Sequence, residues 1–262
     1  MDDVRLSALT KGQVLRPMRA RPRATVVRVL EADPDLGAGI DQRDWQAAVA
    51  MSVAAEFEFE RGPWRFFPPP EPGGFGALIL EGRILIRIDA GTRSHIEMLG
   101  EGDLISPWVG TGTELSAPSE VTASVVSQAR VALLDRRFAL RTARWPEIHA
   151  ALIGRCIERS RRLSLQSAIN ALPRIEERVE VTLWELAGRF GRVTPDGIVV
   201  ELPISHSQLA DIVAAQRPSV STAVVRLEDH GRIARVARRT MLLRGEPPEM
   251  LSSLARQSGL RA

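Results

Sequence analysis

This 262-residue chain has one cysteine, no tyrosine and, at Lys11, a single lysine. A lone thiol, Cys156, cannot close an internal disulfide or supply a cysteine-ligated iron–sulfur cluster or zinc site within one chain. It lies in an amphipathic stretch, where packing is the plain role and redox sensing the alternative. No apolar run reaches bilayer-spanning length, which argues against a membrane partner. The start, "MDDVRLSALTKGQ", is acidic and lacks the apolar core of a secretory signal. Together these features predict a cytoplasmic protein. The four histidines are His95, His149, His206 and His230, and they show no metal-ligand spacing, so no metal or cofactor is expected.

Net charge is only +3, and arginine supplies nearly all the positive charge, so its abundance says little about partners. Its placement says more. Between Pro203 and Gly245 there are seven arginines against three acids, a local basic patch.

Residues 1–55 read as an irregular extension with one short helix near 41–53, capped at Asp41 and stapled by Ile40 and Trp45. From 56 to 140 the pattern changes to short β-rich runs separated by Gly, Pro and Ser: "FEFE", "ALILEGRILIRID", "EVTASVVS", "ARVALLD". That is the pattern of a β-barrel or jelly-roll domain. Trp64, Phe66, Phe67 and Trp108 are core residues or line a pocket within it. From 141 to 172 a single long helix is expected, with two stripes. One runs through Ile148, Leu152, Cys156 or Arg155, Arg159, Leu163, Gln166 and Asn170, the other through Ile153, Ile157, Ser160 and Ser164. Two stripes suggest packing on the helix's own domain and on a symmetric copy. The interface to a second copy is assigned to Leu152, Cys156, Arg159, Leu163 and Gln166; burial within one subunit is the alternative.

Residues 173–246 form a further unit, and 247–262 a tail. "RIEERVEVTLWELAGRFG" predicts a helix burying Ile175, Val179, Leu183 and Leu186, and "GIVVELP" a strand. "LADIVAAQRPSVSTAVVRLEDHGRI", Leu209 to Ile233, is two short helices broken at Ala-Ala-Gln-Arg-Pro. Ser205 suits the first N-cap, and Pro218 the first turn of the second helix. Val220, Ala223, Val224 and Leu227 share a buried stripe; Ser219, Ser221, Thr222, Val225 and Arg226 face away. A short face of hydroxyls with basic edges fits a DNA major groove, with Arg217 placed to pair with guanine. Ser205, His206 and the helix N-terminus suit phosphates. "RIARVARRTMLLRG" predicts a hairpin carrying Arg235, Arg238 and Arg239 along the backbone. A helical hairpin without a ligand is the plain alternative.

"ISHSQLADIVAAQRPSVSTAVVRLEDHGRI" resembles the helix-turn-helix of the Crp/Fnr superfamily of bacterial transcription regulators. "LLDRRFALRTARWPEI" resembles its junction to the dimer helix, and "GALILEGRILIRI" and "LGEGDLI" parts of its β-roll. The resemblance covers roughly residues 56–245. It implies an α+β fold: an N-terminal jelly-roll-like β-roll sensor, a long dimerisation helix and a C-terminal winged helix-turn-helix. It implies a non-enzymatic homodimer on double-stranded DNA at an inverted repeat, with RNA polymerase and an unknown small-molecule effector as further partners. Gln216, Arg217, Ser219, Ser221 and Thr222 fall on the family's DNA-reading face, flanked by Arg226 and Arg238. Pro218, Thr222 and Ala214 depart from residues frequent there (acidic, arginine and glycine), so the site should differ from the best-known ones.

The sensor departs further. Cyclic-nucleotide-binding members carry Gly-Glu-x-Ala-Leu and then Arg-Ser. Here "GDLISPWVGTGTELSAPSEVTAS" has only Glu114 in its middle, and no Arg or Lys occurs from Ser94 to Ala129. An unpaired phosphate would be costly there, so ordinary cyclic AMP binding is not expected. Leu104, Ser106, Trp108, Thr111, Glu114 and Ser119 are the candidate effector pocket. His95 is the available axial ligand for a haem-sensing reading, against a plain surface or paired histidine. A cupin-like metal enzyme and a protein-docking adaptor are the alternative functions; a cupin needs two or three histidines, and the β-domain supplies only His95.

Overall fold

The computed structural model describes residues 24–64, 73–91, 93–105 and 120–251. It begins with β1 (Ala24–Arg28), α1 (Val29–Ala32), a 3-10 turn over Pro34–Gly37, and α2 (Gln42–Met51). The Asp41 side chain caps α2 by accepting from the Arg43 N–H at 2.8 Å, and Ile40 and Trp45 pack on the same core. Residues 24–40 are not the expected loop. β1 pairs antiparallel with β2 (Val53–Phe59), and Val29, Leu30 and Leu36 are fully buried. Residues 24–55 are therefore built into the β-domain, not a separate extension.

The remaining β-domain strands are β3 (Gly62–Trp64), β4 (Gly76–Glu81), β5 (Ile84–Ala90), β6 (Arg93–Leu99), β7 (Leu104–Ile105), β8 (Glu120–Val125) and β9 (Ala129–Leu134). They form a sheet of order β1-β2-β9-β4-β7 and another of order β3-β8-β5-β6. Their alternating residues bury Phe57, Ile79, Ile86, Leu99 and Val131 in a common core. Trp64 belongs to this core, edge-on to Phe59 at 5.2 Å between centroids. Phe66, Phe67 and Trp108 lie outside the described residues.

The helix expected from Arg141 is two helices, α3 (Arg136–Thr142) and α4 (Pro146–Asn170). Pro146 has no N–H to continue the α3 hydrogen bonds, so the chain turns at Trp145 and restarts with Pro146 in the first turn. α4 is 25 residues long, and no described helix is long and apolar enough to cross a membrane. α5 (Ile175–Phe190) buries Val179, Leu183 and Leu186 as its spacing predicts. It is followed by β10 (Gly191–Thr194), which sequence patterning missed, β11 (Gly197–Glu201), α6 (His206–Ile212), α7 (Arg217–Asp229), β12 (Ile233–Ala237) and β13 (Thr240–Leu243). These strands form a sheet of order β10-β11-β13-β12, in which β12 and β13 are the expected hairpin. The C-terminal core continues into the β-roll: Leu85, Ile96 and Met98 pack in one cluster with Leu183, Val213 and Val224.

Candidate nucleic-acid interface

α6 starts with a reciprocal cap. The Ser205 hydroxyl accepts from the Gln208 N–H at 3.2 Å, and the Gln208 side chain accepts from the Ser205 N–H at 2.8 Å. Leu209, Ala210 and Ile212 are buried beneath it. The turn that follows passes through Ala214, whose φ of 51° is the only left-handed non-glycine conformation among the described residues. The turn is closed by the Ala215 N–H donating to the Ala210 carbonyl at 2.9 Å. Gln216 is the extended residue before α7, Arg217 its first residue and Pro218 its second.

α7 buries Val220, Ala223, Val224 and Leu227, the expected stripe. Gln216, Arg217, Thr222, Val225 and Arg226 are exposed, and Ser219 and Ser221 are half-buried. Arg217 has no hydrogen-bond or ion-pair partner among the described residues. The Thr222 hydroxyl donates back to the Pro218 carbonyl at 3.1 Å, leaving its oxygen open to an incoming donor. Ser221 is not simply outward: its hydroxyl lies 3.0 Å from His206 Nδ1, which ties α7 to the start of α6. Arg226 sits at the rim, 3.9 Å from Glu176 of α5. Arg238 is exposed at the tip of the β12–β13 hairpin. The result is an open face of small polar groups, one exposed valine and uncommitted arginines, in the shape of a winged helix-turn-helix.

Within the single chain, α4 turns most of the expected interface stripe inward. Leu152 is fully buried in its own β-domain core. Arg159 turns inward and binds Glu97 with Nη2 at 2.7 Å and the Leu104 carbonyl with Nη1 at 3.2 Å. Burial opposes its charge, but the hydrogen bonds and charge of Glu97 outweigh that and hold its pKa above the ordinary value. The Gln166 amide donates to the Ile212 carbonyl at 3.2 Å. Of the predicted interface, only Cys156 and Leu163 are exposed. They flank the other stripe, in which Ile153 is 54% and Ile157 50% exposed, continuing through Ser160 and Ser164.

Of the candidate effector pocket, Leu104 is a buried core residue, and Ser106, Trp108, Thr111, Glu114 and Ser119 lie outside the described residues. The arginines reaching the β6–β7 turn are already engaged. Arg155 binds Asp33 at 2.8 Å, Arg159 binds Glu97, and Arg162 and Arg189 share Asp103. Sequence reasoning missed this set, because its partners are tens of residues apart and no local motif links them. His95 lines a cavity of about 40 Å³ with Glu97, Arg162, Gln166 and Glu185. Burial lowers its pKa against the pull of Glu97. Among the described residues no three His, Cys, Asp or Glu side chains gather as a metal site, so the cupin-like reading finds no support there.

Comparison with known proteins agrees with this architecture. Residues 177–246 match the family of Crp-like helix-turn-helix domains. A CRP-like cAMP-activated global transcriptional regulator of Mycobacterium tuberculosis is 28% identical over 182 residues, 66% of this chain and 77% of that protein. FixK2 from Bradyrhizobium japonicum has the same fold at a TM-score of 0.57 and 19% identity, covering 80% of this chain and 100% of that one. A CooA variant from Carboxydothermus hydrogenoformans gives 0.57 at 16% identity, covering 91% and 98%. Residues 177–246 are thus a Crp-like helix-turn-helix domain, and with the β-roll and the long connecting helix before it the chain has the fold of these solved structures.

Proposed function

We propose that this chain is a transcription regulator of Crp/Fnr type and works as a homodimer that reads an inverted repeat in double-stranded DNA with the N-terminal half of α7. The observation that carries the reading is the pairing of a fully buried stripe on α7 with an exposed Arg217 at its first position. Arg217 is the base-reading residue, and Gln216, Ser219 and Thr222 complete the face. Ser205, His206 and Arg238 meet phosphates, with Ser221 held by His206. Arg226 works from the rim.

The two-fold axis lies along the exposed stripe of α4. Ile153, Ile157, Ser160 and Ser164 recur at alternating spacings of four and three, the seam of a two-stranded coiled coil. Two half-exposed isoleucines one turn apart are best accounted for by a second copy. Such a dimer presents its recognition helices about 34 Å apart.

Ordinary cyclic AMP is not the effector in this reading, although the Mycobacterium relative is described as cAMP-activated. Ser94–Ala129 has no Arg or Lys, and the arginines that approach from α4 and α5 are held by Asp33, Glu97 and Asp103. A cyclic phosphate would have to break one of these pairs. The test is selection of duplexes from a random pool, followed by anisotropy titration of wild-type and Arg217→Ala. The variant should lose about 1–3 kcal/mol on the selected site and much less on random DNA. An equal loss on both would remove Arg217 from base reading. Cyclic AMP at 100 times a plausible Kd should leave the melting temperature unchanged, whereas real binding would add about 2.7 kcal/mol.

A further inference from the structure

Asp103 occupies a point where three parts of the chain meet. It ends the turn between β6 and β7 and is 7% exposed. Its Oδ2 accepts from the Gly100 N–H at 2.9 Å and from Arg189 Nη2 at 2.6 Å. Its Oδ1 accepts from Arg162 Nη2. Gly100 belongs to the β-roll, Arg162 to α4, and Arg189 to the last turn of α5 in the DNA-binding domain. Arg189 also donates to the Met98 carbonyl at 3.1 Å.

The surrounding contacts run in the same direction. Arg189 lies 4.5 Å from the centre of the neighbouring Phe190 ring, and Arg83 of the β-roll lies 4.9 Å from it. Phe190 closes against Gly100, where a side chain would collide with the ring. Further along, Arg87 of β5 pairs with Asp211 of α6 at 2.5 Å. The Arg83–Phe190, Phe190–Gly100 and Arg87–Asp211 contacts join two modules each; Asp103 joins three. One carboxylate also serves two guanidiniums, so removing its charge leaves two half-buried cations facing each other. None of these groups belongs to the open face of α7.

We propose that Asp103 is a positioning residue for DNA recognition: by sharing its carboxylate between Arg162 and Arg189, it sets the angle at which each winged helix-turn-helix leaves α4. In a dimer that angle fixes where the second recognition helix falls once the first is seated, and hence the half-site spacing that is read. The inference rests on the dimeric, DNA-reading function proposed above.

The test uses the full chain and a set of duplexes built from the wild-type selected sequence. One holds a single half-site; the others hold inverted repeats with the centre lengthened or shortened by one or two base pairs. Asp103→Asn should bind the single half-site as wild-type does. On the optimal repeat it should lose at least about tenfold in affinity, because two linked contacts lose their advantage when geometry prevents both forming at once. Its preference among spacings should flatten. Arg189→Lys, which keeps the charge beside Asp103, should retain part of the wild-type preference. An unchanged spacing profile, or equal losses on half-site and repeat, would overturn the inference. If Asp103→Asn does not fold, Arg189→Gln leaves the Asp103–Arg162 pair in place and is read on the same duplexes against the same expectation. A wild-type chain that selects no duplex would remove the underlying reading instead, and this inference with it.

Discussion

Ala214 holds a left-handed conformation that an alanine adopts at a cost, and replacing it with glycine tests the geometry of the α6–α7 turn. With φ at 51°, its Cβ crowds the following carbonyl, a penalty of about 1–2 kcal/mol. Glycine removes that penalty but makes the unfolded chain freer, which takes back about 0.4–1 kcal/mol. The methyl group is exposed, so little packing is lost. The net expectation for Ala214→Gly is stabilisation by about 0.5–1 kcal/mol. For a chain of this size that corresponds to a rise of roughly 1–4 °C in Tm. The assay is reversible unfolding by calorimetry or circular dichroism, in parallel with urea titration. DNA affinity should be unaltered, since the turn keeps its shape. A fall in Tm would mean that Ala214 sits in an ordinary backbone region and that the α6–α7 geometry described above is wrong.

Further perturbations separate the two faces of α4 and probe its surroundings. Ile153→Glu with Ile157→Glu should shift sedimentation from dimer to monomer with little change in unfolding, whereas Leu152→Ala should destabilise the fold by about 2–5 kcal/mol. Ser205→Ala removes the reciprocal cap of α6 and should cost about 0.5–2 kcal/mol in urea unfolding. Burial raises the pKa of Glu185, against the pull of Arg189 and Arg162, so the folded chain holds this proton more tightly than the unfolded chain. Its contribution is therefore full below the ordinary carboxylate pKa and lost as pH rises through the raised value. Glu185→Gln should remove that slope from urea midpoints measured across acid to neutral pH and raise stability at neutral pH. A slope unaffected by the substitution would assign it to other groups.

The helix-turn-helix was legible because its information is local. A 3.6-residue period, a serine cap and a break at Gln216–Arg217–Pro218 suffice to place α6, α7 and the stripe through Val220 and Leu227. Most strands of the β-roll were legible for the same reason; β3, over Gly62–Trp64, lay in none of the β-rich runs. Strand β1 was not: "ATVVR" follows an Arg- and Pro-rich stretch, and its role depends on pairing with β2. The α4 stripes have equal periodicity, and the local pattern cannot tell which one is covered. Arg159 is inward because Glu97 awaits it, and Gln166 because the Ile212 carbonyl does, partners 62 and 46 residues away. Nothing local in "LGEGDLI" marks Asp103, and only the fold brings Arg162 and Arg189 to it.

The most direct test of the central claim is the stoichiometry and salt dependence of binding to the selected duplex, measured together by analytical ultracentrifugation and anisotropy. The account predicts two chains per duplex. It also predicts an affinity that falls log-linearly with salt, at a slope of about −0.9 for each phosphate neutralised. A single chain per duplex, or an affinity indifferent to salt, would contradict it.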